Sequence, residues 1–270
     1  MAAAPVMIRL IVPTRNSHRL LPRLVASLQE QSLRQWRLSF IDGASNAEHQ
    51  AWLEDLCHRD HRFEWHPQHP DRVGIFGAMN QGFALAQPAE WLLFWGSDDW
   101  AAGPGVLEEA WAQLLRAERA GQPADLLVSA ARYVHLAAGE PPRPARRSAF
   151  RWRHSYRRSL LLGSTPPHQA TLIGPGARRL IAGYREDFRL AADLDYFLRL
   201  ARWPELRVVC STLELVRMGD GGISGQQTGH RLAEVRRAYR EAFGMLWWLP
   251  FLLRYGQRLQ SRLLAPGEQP

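Results

Sequence analysis

The stretch Trp91-Leu-Leu-Phe-Trp95-Gly-Ser-Asp98-Asp99-Trp100 most restricts how this chain can fold. An unbroken run of large apolar residues suits a strand covered on both faces, as in the middle of a parallel α/β sheet. Gly96-Ser97 then ends the strand and leaves two carboxylates at its carboxyl end, where open α/β sheets bind their ligands. Carboxylates withdrawn from water need partners. Two readings follow from the pair alone. Either a divalent cation bridges it to a phosphate-bearing substrate, or the acids close an Asx-type turn or cap a helix after the strand.

The sequence around this run alternates strand and helix patterns. Met7 to Asn16 reads as a short buried strand stopped by Pro13, and Leu20, Leu21, Leu24 and Leu28 follow at helical spacing. Trp36 to Ile41 forms a second strand pattern that ends at Asp42-Gly43-Ala44-Ser45. Asp71-Arg72-Val73-Gly74-Ile-Phe-Gly77-Ala-Met-Asn80-Gln-Gly82 opens a helical stretch that leads into the acidic strand. The alternation runs to about Val128 and predicts a mostly parallel central sheet flanked by helices, an α/β fold. Beyond it, residues 138–147 and 163–169 read as loops, and a helix begins between Arg189 and Asp193. Arg231 to Leu264 is mostly helical with an interruption expected at Pro250. No 20- to 50-residue period recurs, which excludes a repeat architecture. The expected organisation is a catalytic domain over residues 1–228 and a helical tail over 229–270.

Composition narrows the function classes. The chain has 270 residues, 46% of them hydrophobic, enough for a large core. Its net charge of +8 comes from arginine alone, since there is no lysine; this points to a GC-rich coding sequence more than to a polyanion site. A nucleic-acid partner is not expected, because no basic stripe with interleaved stacking aromatics is present. Arginines cluster between Arg143 and Arg158 and again after Arg231. Each cluster is either a solvated surface or a contact for anionic headgroups or a phosphate-bearing acceptor. Cys57 and Cys210 read as core residues in a reducing compartment. The N-terminus lacks a signal-peptide pattern, and the apolar stretch Ala242–Leu253 is too short to span a bilayer. A cytoplasmic location is therefore expected.

The ordered motifs are Pro13-Thr14-x-Asn16, Asp42-Gly-Ala-Ser45, Asp71 with Gly74-Ile and Ala-Met-Asn80-x-Gly82, and Ser97-Asp98-Asp99. Together, over about Ile8 to Ser224, the chain resembles the family 2 inverting glycosyltransferases of bacterial polysaccharide and glycan assembly. These have the Rossmann-like GT-A fold of nucleotide-diphospho-sugar transferases. The resemblance implies transfer of a sugar from a nucleoside-diphosphate donor, in the first place UDP, to a hydroxyl of a glycan or lipid-linked acceptor. It implies inversion and a divalent cation, Mg²⁺ or Mn²⁺, whose charge offsets that of the diphosphate leaving group.

The same resemblance distributes roles. Asp99 is the metal ligand, and Asp98 holds the ribose or a metal-bound water. Asp42 faces the nucleotide base, Thr14 and Asn16 line that pocket, and Asp71 and Arg72 close over it. Asn80 orients the acidic loop or the sugar, unless it is only a helix-surface amide. Ala192-Asp193-Leu-Asp195 matches the element that carries the acceptor-side base, which places the base on Asp193; the competing reading is a helix cap. Arg189 and Arg199 then hold Asp193 or the acceptor. His168 and Gln169 match an element near the acceptor or donor sugar, although a single histidine is as well explained by a structural hydrogen bond. The turn 219–224 closes over the diphosphate with backbone N–H groups or is a simple turn.

Two positions depart from the pattern: Gly77 stands where the family carries a carboxylate, and Val73 is an additional residue before Gly74. Two other classes stay open. A sugar-nucleotide nucleotidyltransferase would want a glycine-rich basic loop after the first strand, which Pro13-Thr-Arg-Asn16 does not supply. A non-catalytic nucleotide-sugar-binding protein would be expected to have lost Asp42, Asp98, Asp99 or Asp193, all of which are present. Finally, Met245 to Leu253, with Tyr255, Leu259, Leu263 and the interspersed Arg254, Arg258 and Arg262, either docks the enzyme peripherally on the inner membrane face or packs on protein.

Overall fold

The computed structural model describes residues 7–135, 143–144, 155–219 and 228–263. Its first half alternates β1 (Ile8–Thr14), α1 (Leu21–Gln29), β2 (Trp36–Asp42), α2 (Ala47–Arg59), β3 (Phe63–Pro67), α3 (Gly74–Leu85) and β4 (Trp91–Phe94). The four strands are parallel in the order β3-β2-β1-β4. All of β4 is buried: Leu92 and Phe94 enter the core on one face, Trp91, Leu93 and Trp95 the core on the other. The apolar run thus occupies a doubly covered strand. Thr14 pairs with Asp42, and Ile11 with Phe94, so the carboxyl ends of β1, β2 and β4 lie side by side.

The second half contains β5 (Asp99–Ala101), α4 (Val106–Arg119), β6 (Leu126–His135), β7 (Arg143–Pro144) and α5 (Tyr156–Leu161). It continues with β8 (Thr171–Ile173), α6 (Pro175–Leu180), α7 (Ala192–Leu200), β9 (Val208–Gly219), α8 (Thr228–Phe243) and α9 (Trp248–Leu263). The full sheet order is β3-β2-β1-β4-β8-β6-β9-β5, with β7 beside β6. This half is mixed rather than parallel: β8 runs antiparallel to both β4 and β6, and β5 runs antiparallel to β9. The turn between Phe94 and Asp99 is too short for a parallel crossover, so β5 leaves the β4 edge and pairs elsewhere.

Helix α8 packs into the core beside α7, burying Val235, Ala238 and Tyr239 in the cluster that holds Leu194 and Phe197. Its Glu234 carboxylate accepts the backbone N–H groups of Arg189, Leu190 and Ala191 at 2.8, 2.8 and 2.9 Å. The interruption expected at Pro250 falls instead at Gly244, whose φ of 55° only glycine adopts without strain. Pro250 sits in the first turn of α9, where its missing N–H breaks no intrahelical bond. Among the described residues no helix is long and apolar enough to cross a membrane.

Candidate active site

Three loops at the carboxyl ends of β1, β2 and β4 are locked together. Asn16, with φ of 51°, donates its backbone N–H to Ser45 Oγ at 2.8 Å and accepts the Asn46 N–H on Oδ1 at 2.8 Å. The hydroxyls of Ser17 and Ser97 lie 2.9 Å apart and join the first loop to the acidic turn. Asp42 is the buried hub. Its carboxylate accepts from Thr14 Oγ1 at 3.3 Å, from the Ser45 N–H at 3.0 Å and from the Ser45 hydroxyl, and it lies 3.4 Å from His49 Nε2. Burial pushes the His49 imidazole below its ordinary pKa, so the ring is a neutral neighbour at neutral pH. Thr14 and Asp42 therefore sit together at the strand ends, and Asn16 rims the same cradle.

Asp98 and Asp99 converge over Gly96. A Cβ built on Gly96 would lie 3.0 Å from Asp98 Oδ1 and 3.3 Å from Asp99 Oδ2, and one on Gly219 would lie 2.6 Å from Asp98 Oδ2. The two glycines leave room for a pair of carboxylates that any side chain would displace. The Gly96 N–H donates to Asp99 Oδ2 at 2.6 Å, and Asp99 pairs with Met218 across β5 and β9. Burial, and then the charge of Asp98, hold the Asp99 carboxyl well above the usual carboxylate range. Two adjacent acids of which one is desolvated make a donor set that suits a hard divalent cation, which would relieve their repulsion. Among the described residues no group of three or more His, Cys, Asp or Glu side chains forms that could hold a metal ion.

The segment before α3 explains the departure at Gly77. A Cβ at that position would lie 2.5 Å from the Arg72 carbonyl carbon and oxygen, so the backbone that carries Arg72 occupies the space a carboxylate would need. Gln68 Nε2 holds this segment through the carbonyls of Arg72 and Gly74. Asp71 is exposed and lies beside His69, Arg72 is half-buried, and Val73 projects into solvent. Asn80 is buried, not a surface amide. Its side chain donates to Tyr184 O at 2.9 Å and Glu186 Oε1 at 3.0 Å, and accepts the Tyr184 N–H at 2.7 Å. It therefore ties α3 to the loop that precedes α7.

On the far side of β4, Asp193 lies half-buried in the first turn of α7. The N-cap is Ala191 with no side-chain cap, so Asp193 is not the capping residue. Asp195 points elsewhere: it is buried and bound to Arg199 Nε at 2.8 Å, with Arg185 Nη1 at 3.7 Å. Arg199 is thus engaged with Asp195, while the backbone of Arg189 is held by Glu234. His168 is buried, stacked on Phe94 at 5.4 Å, and its Nε2 lies 2.6 Å from the Tyr184 hydroxyl. Burial lowers its pKa while the Asp193 charge opposes the shift, so the ring is neutral at neutral pH. Gln169 accepts the Trp95 Nε1–H on its backbone oxygen at 2.9 Å. The last aromatics of the acidic strand thereby carry the 168–169 turn and link Asp98 and Asp99 to the side of Asp193.

The sequence motifs did not single out Ser17, His49, Tyr184 or Glu234 as parts of this frame. The Asp42–Ser45 spacing is the one local signal, since a serine three residues after an aspartate invites an Asx turn. The turn 220–224 and the arginines at 146, 147, 151 and 153 lie outside the described residues.

The sequence model of glycosyl transferase family 2 matches residues 10–174, which spans β1 through β8 and includes the acidic turn. A PGL/p-HBAD biosynthesis glycosyltransferase of Mycobacterium bovis is 28% identical over 214 residues, 76% of this chain and 73% of that protein. The fold is similar to that of S. aureus TarS residues 1–349 in complex with UDP-GlcNAc: TM-score 0.64, 15% identity, 94% of this chain and 73% of that one. This chain spans 43% of the longer TarS structure. It is also similar to the mannosyltransferase PcManGT of Pyrobaculum calidifontis in complex with GDP-Man and Mn²⁺: TM-score 0.56, 12% identity, 99% of this chain and 66% of that one. At these identities the structural likeness shows the GT-A fold alone.

Proposed function

Since the chain belongs to glycosyl transferase family 2, we propose that it moves a sugar from a nucleoside-diphosphate donor to a hydroxyl of a glycan or lipid-linked acceptor, with inversion at the anomeric carbon. The observation that carries this reading is the convergence of Asp98 and Asp99 over Gly96, at the end of a buried strand beside the Thr14–Asp42 pair. UDP is the preferred donor nucleotide, in keeping with the TarS complex, and GDP, bound by PcManGT, is the runner-up. The catalytic unit is assigned to residues 1–228 and the tail to 229–270, with α8 of the tail packed on the core of the unit. The lipid-linked acceptor would be met on the cytoplasmic membrane face.

The roles follow from position. Asp99 would hold Mg²⁺ or Mn²⁺, with Asp98 beside it toward the ribose or a water on the ion. When bound there, a divalent cation would offset the charge of the leaving diphosphate. Asp42, held by Thr14 and Ser45, presents the polar floor to the base, with Asn16, Asp71 and Arg72 at its rim. Asp193 takes the proton from the acceptor hydroxyl as its oxygen attacks the anomeric carbon. Asp195 is unsuited to that role because Arg199 and Arg185 already pair with it. His168 and Asn80 position the acceptor-side loop through Tyr184. A nucleotidyltransferase is disfavoured because Pro13-Thr14-Arg15-Asn16 spends its polar groups on neighbouring loops rather than forming a phosphate cradle. Calorimetric titration with UDP and GDP, with and without Mn²⁺, tests the reading: metal-dependent binding of one nucleotide supports it, and no binding of either in the presence of metal overturns it.

A further inference from the structure

We propose that the corner between α8 and α9 is a membrane-docking surface that seats on anionic lipid headgroups. Met245, Leu246, Trp248 and Leu252 are 92, 60, 48 and 59% exposed, the densest group of exposed large apolar side chains among the described residues. Trp248 and Leu252 are four residues apart in α9 and share its outer side, and Met245 and Leu246 lie in the short turn just ahead of them. The other side of the same segment is already used. Trp247 and Phe251 pack on the core with their rings 5.6 Å apart, and Arg254 is buried on Gly163 O and Thr165 Oγ1. A helix that met only protein and water would carry a polar outer face here; this one is apolar on both.

Charge selects the partner. Arg236 and Arg240 are exposed one turn apart on α8, and the Arg236 guanidinium lies 5.1 Å from the Trp247 ring. From Ala242 to Leu263 there is no acidic residue. An apolar tip with a cationic shoulder is complementary to an anionic leaflet, whereas a second copy of the same corner would bring like charges together. The turn at Gly244 pushes Met245 outward as the most prominent point. Because no described helix can span a bilayer, the contact is interfacial in depth. None of Met245, Leu246, Trp248 and Leu252 has a role in the proposed transfer, so the surface sets where the enzyme works without entering its chemistry.

The test is flotation of the full chain with phosphatidylglycerol/phosphatidylcholine vesicles, compared with pure phosphatidylcholine. The wild type is expected to float with the anionic vesicles and to be released by salt. The triple variant Met245→Ser, Trp248→Ser, Leu252→Ser is expected to lose about tenfold or more in partitioning, since each removes exposed apolar area that the interface would cover. Arg240→Gln is expected to lose binding to anionic vesicles in particular. Unchanged nucleotide binding by each variant shows that it is folded and keeps this result separate from the fate of the transferase reading. A wild type that stays at the bottom, or a triple variant that floats as well as the wild type, overturns the proposal. So does a dimer in sedimentation that the triple variant dissolves, with no flotation, because the corner is then a subunit interface.

Discussion

The Gly96 N–H meets Asp99 Oδ2 at 2.6 Å, which pins a buried acid of the site over a residue with no side chain. Asp99 is 3% exposed, and burial together with Asp98 raises its pKa well above the ordinary carboxylate value of ~4. The sign of the consequence follows. A carboxyl whose folded pKa is raised stabilises the fold in acid, and that contribution is lost as pH rises through the folded value. Without metal, stability should fall from about pH 4 upward as Asp99 is forced to ionise. Added Mn²⁺ should restore it at neutral pH. Asp99→Asn keeps an acceptor for Gly96 and removes the charge, so at neutral pH the metal-free variant should melt higher than the wild type and should no longer be stabilised by Mn²⁺. An equal melting gain from Mn²⁺ in both proteins would place the ion elsewhere.

Asp193→Asn should leave donor binding intact while lowering turnover about a hundredfold or more, the scale expected when a general base is lost. Asp195→Asn should act on the fold instead, because it weakens the bond to Arg199, and should cost about 1–3 kcal/mol. Steady-state kinetics and thermal melts on both variants separate the roles. Normal turnover in Asp193→Asn with a well-folded, inactive Asp195→Asn would move the base.

Gly77→Asp restores the family's carboxylate in a place this backbone fills. With a Cβ 2.5 Å from the Arg72 carbonyl, the substitution should cost about 1–3 kcal/mol, as overpacking does. It should also weaken nucleotide affinity by shifting Asp71 and Arg72. Deleting Val73 in the same chain should recover part of the loss, since that residue is the additional one. If Gly77→Asp is as stable as the wild type in a urea titration, the extra residue does not explain the departure.

The buried strand at 91–94 and the parallel half of the sheet were legible because strand length, apolar runs and turn residues are local signals. Asp98 and Asp99 were legible at a strand tip because the Gly-Ser break follows an apolar run, whereas Asp42 and Thr14 entered only through the resemblance to family 2. The packing of Asn80 was not. Its partners, Tyr184 and Glu186, lie over a hundred residues away, and nothing local distinguishes a helix amide turned inward from one in solvent. Arg9 presents the same difficulty: it lies near the start of buried β1 and bonds to Glu90 at 2.7 Å and Ser39 at 2.9 Å. Proline read as a helix breaker misplaced the α8–α9 corner, because its effect depends on where the first turn begins.

Glu234 gathers three consecutive N–H groups ahead of α7 and so fixes the approach to Asp193 from α8. Glu234→Ala should cost about 2–3 kcal/mol through the loss of charge-assisted bonds. It should also raise the KM for acceptor more than that for donor. A variant with wild-type melting and kinetics would show that α7 holds its start without α8.

The proposed role of Asp99 is to serve metal-assisted transfer from a nucleotide sugar. Release of nucleoside diphosphate from a panel of UDP- and GDP-sugars, followed for wild type and Asp99→Asn with Mn²⁺ and after chelation, tests it most directly. Mn²⁺-dependent release from at least one donor is expected of the wild type, abolished by chelation and by Asp99→Asn. Full release by chelator-treated, metal-repleted Asp99→Asn would contradict it.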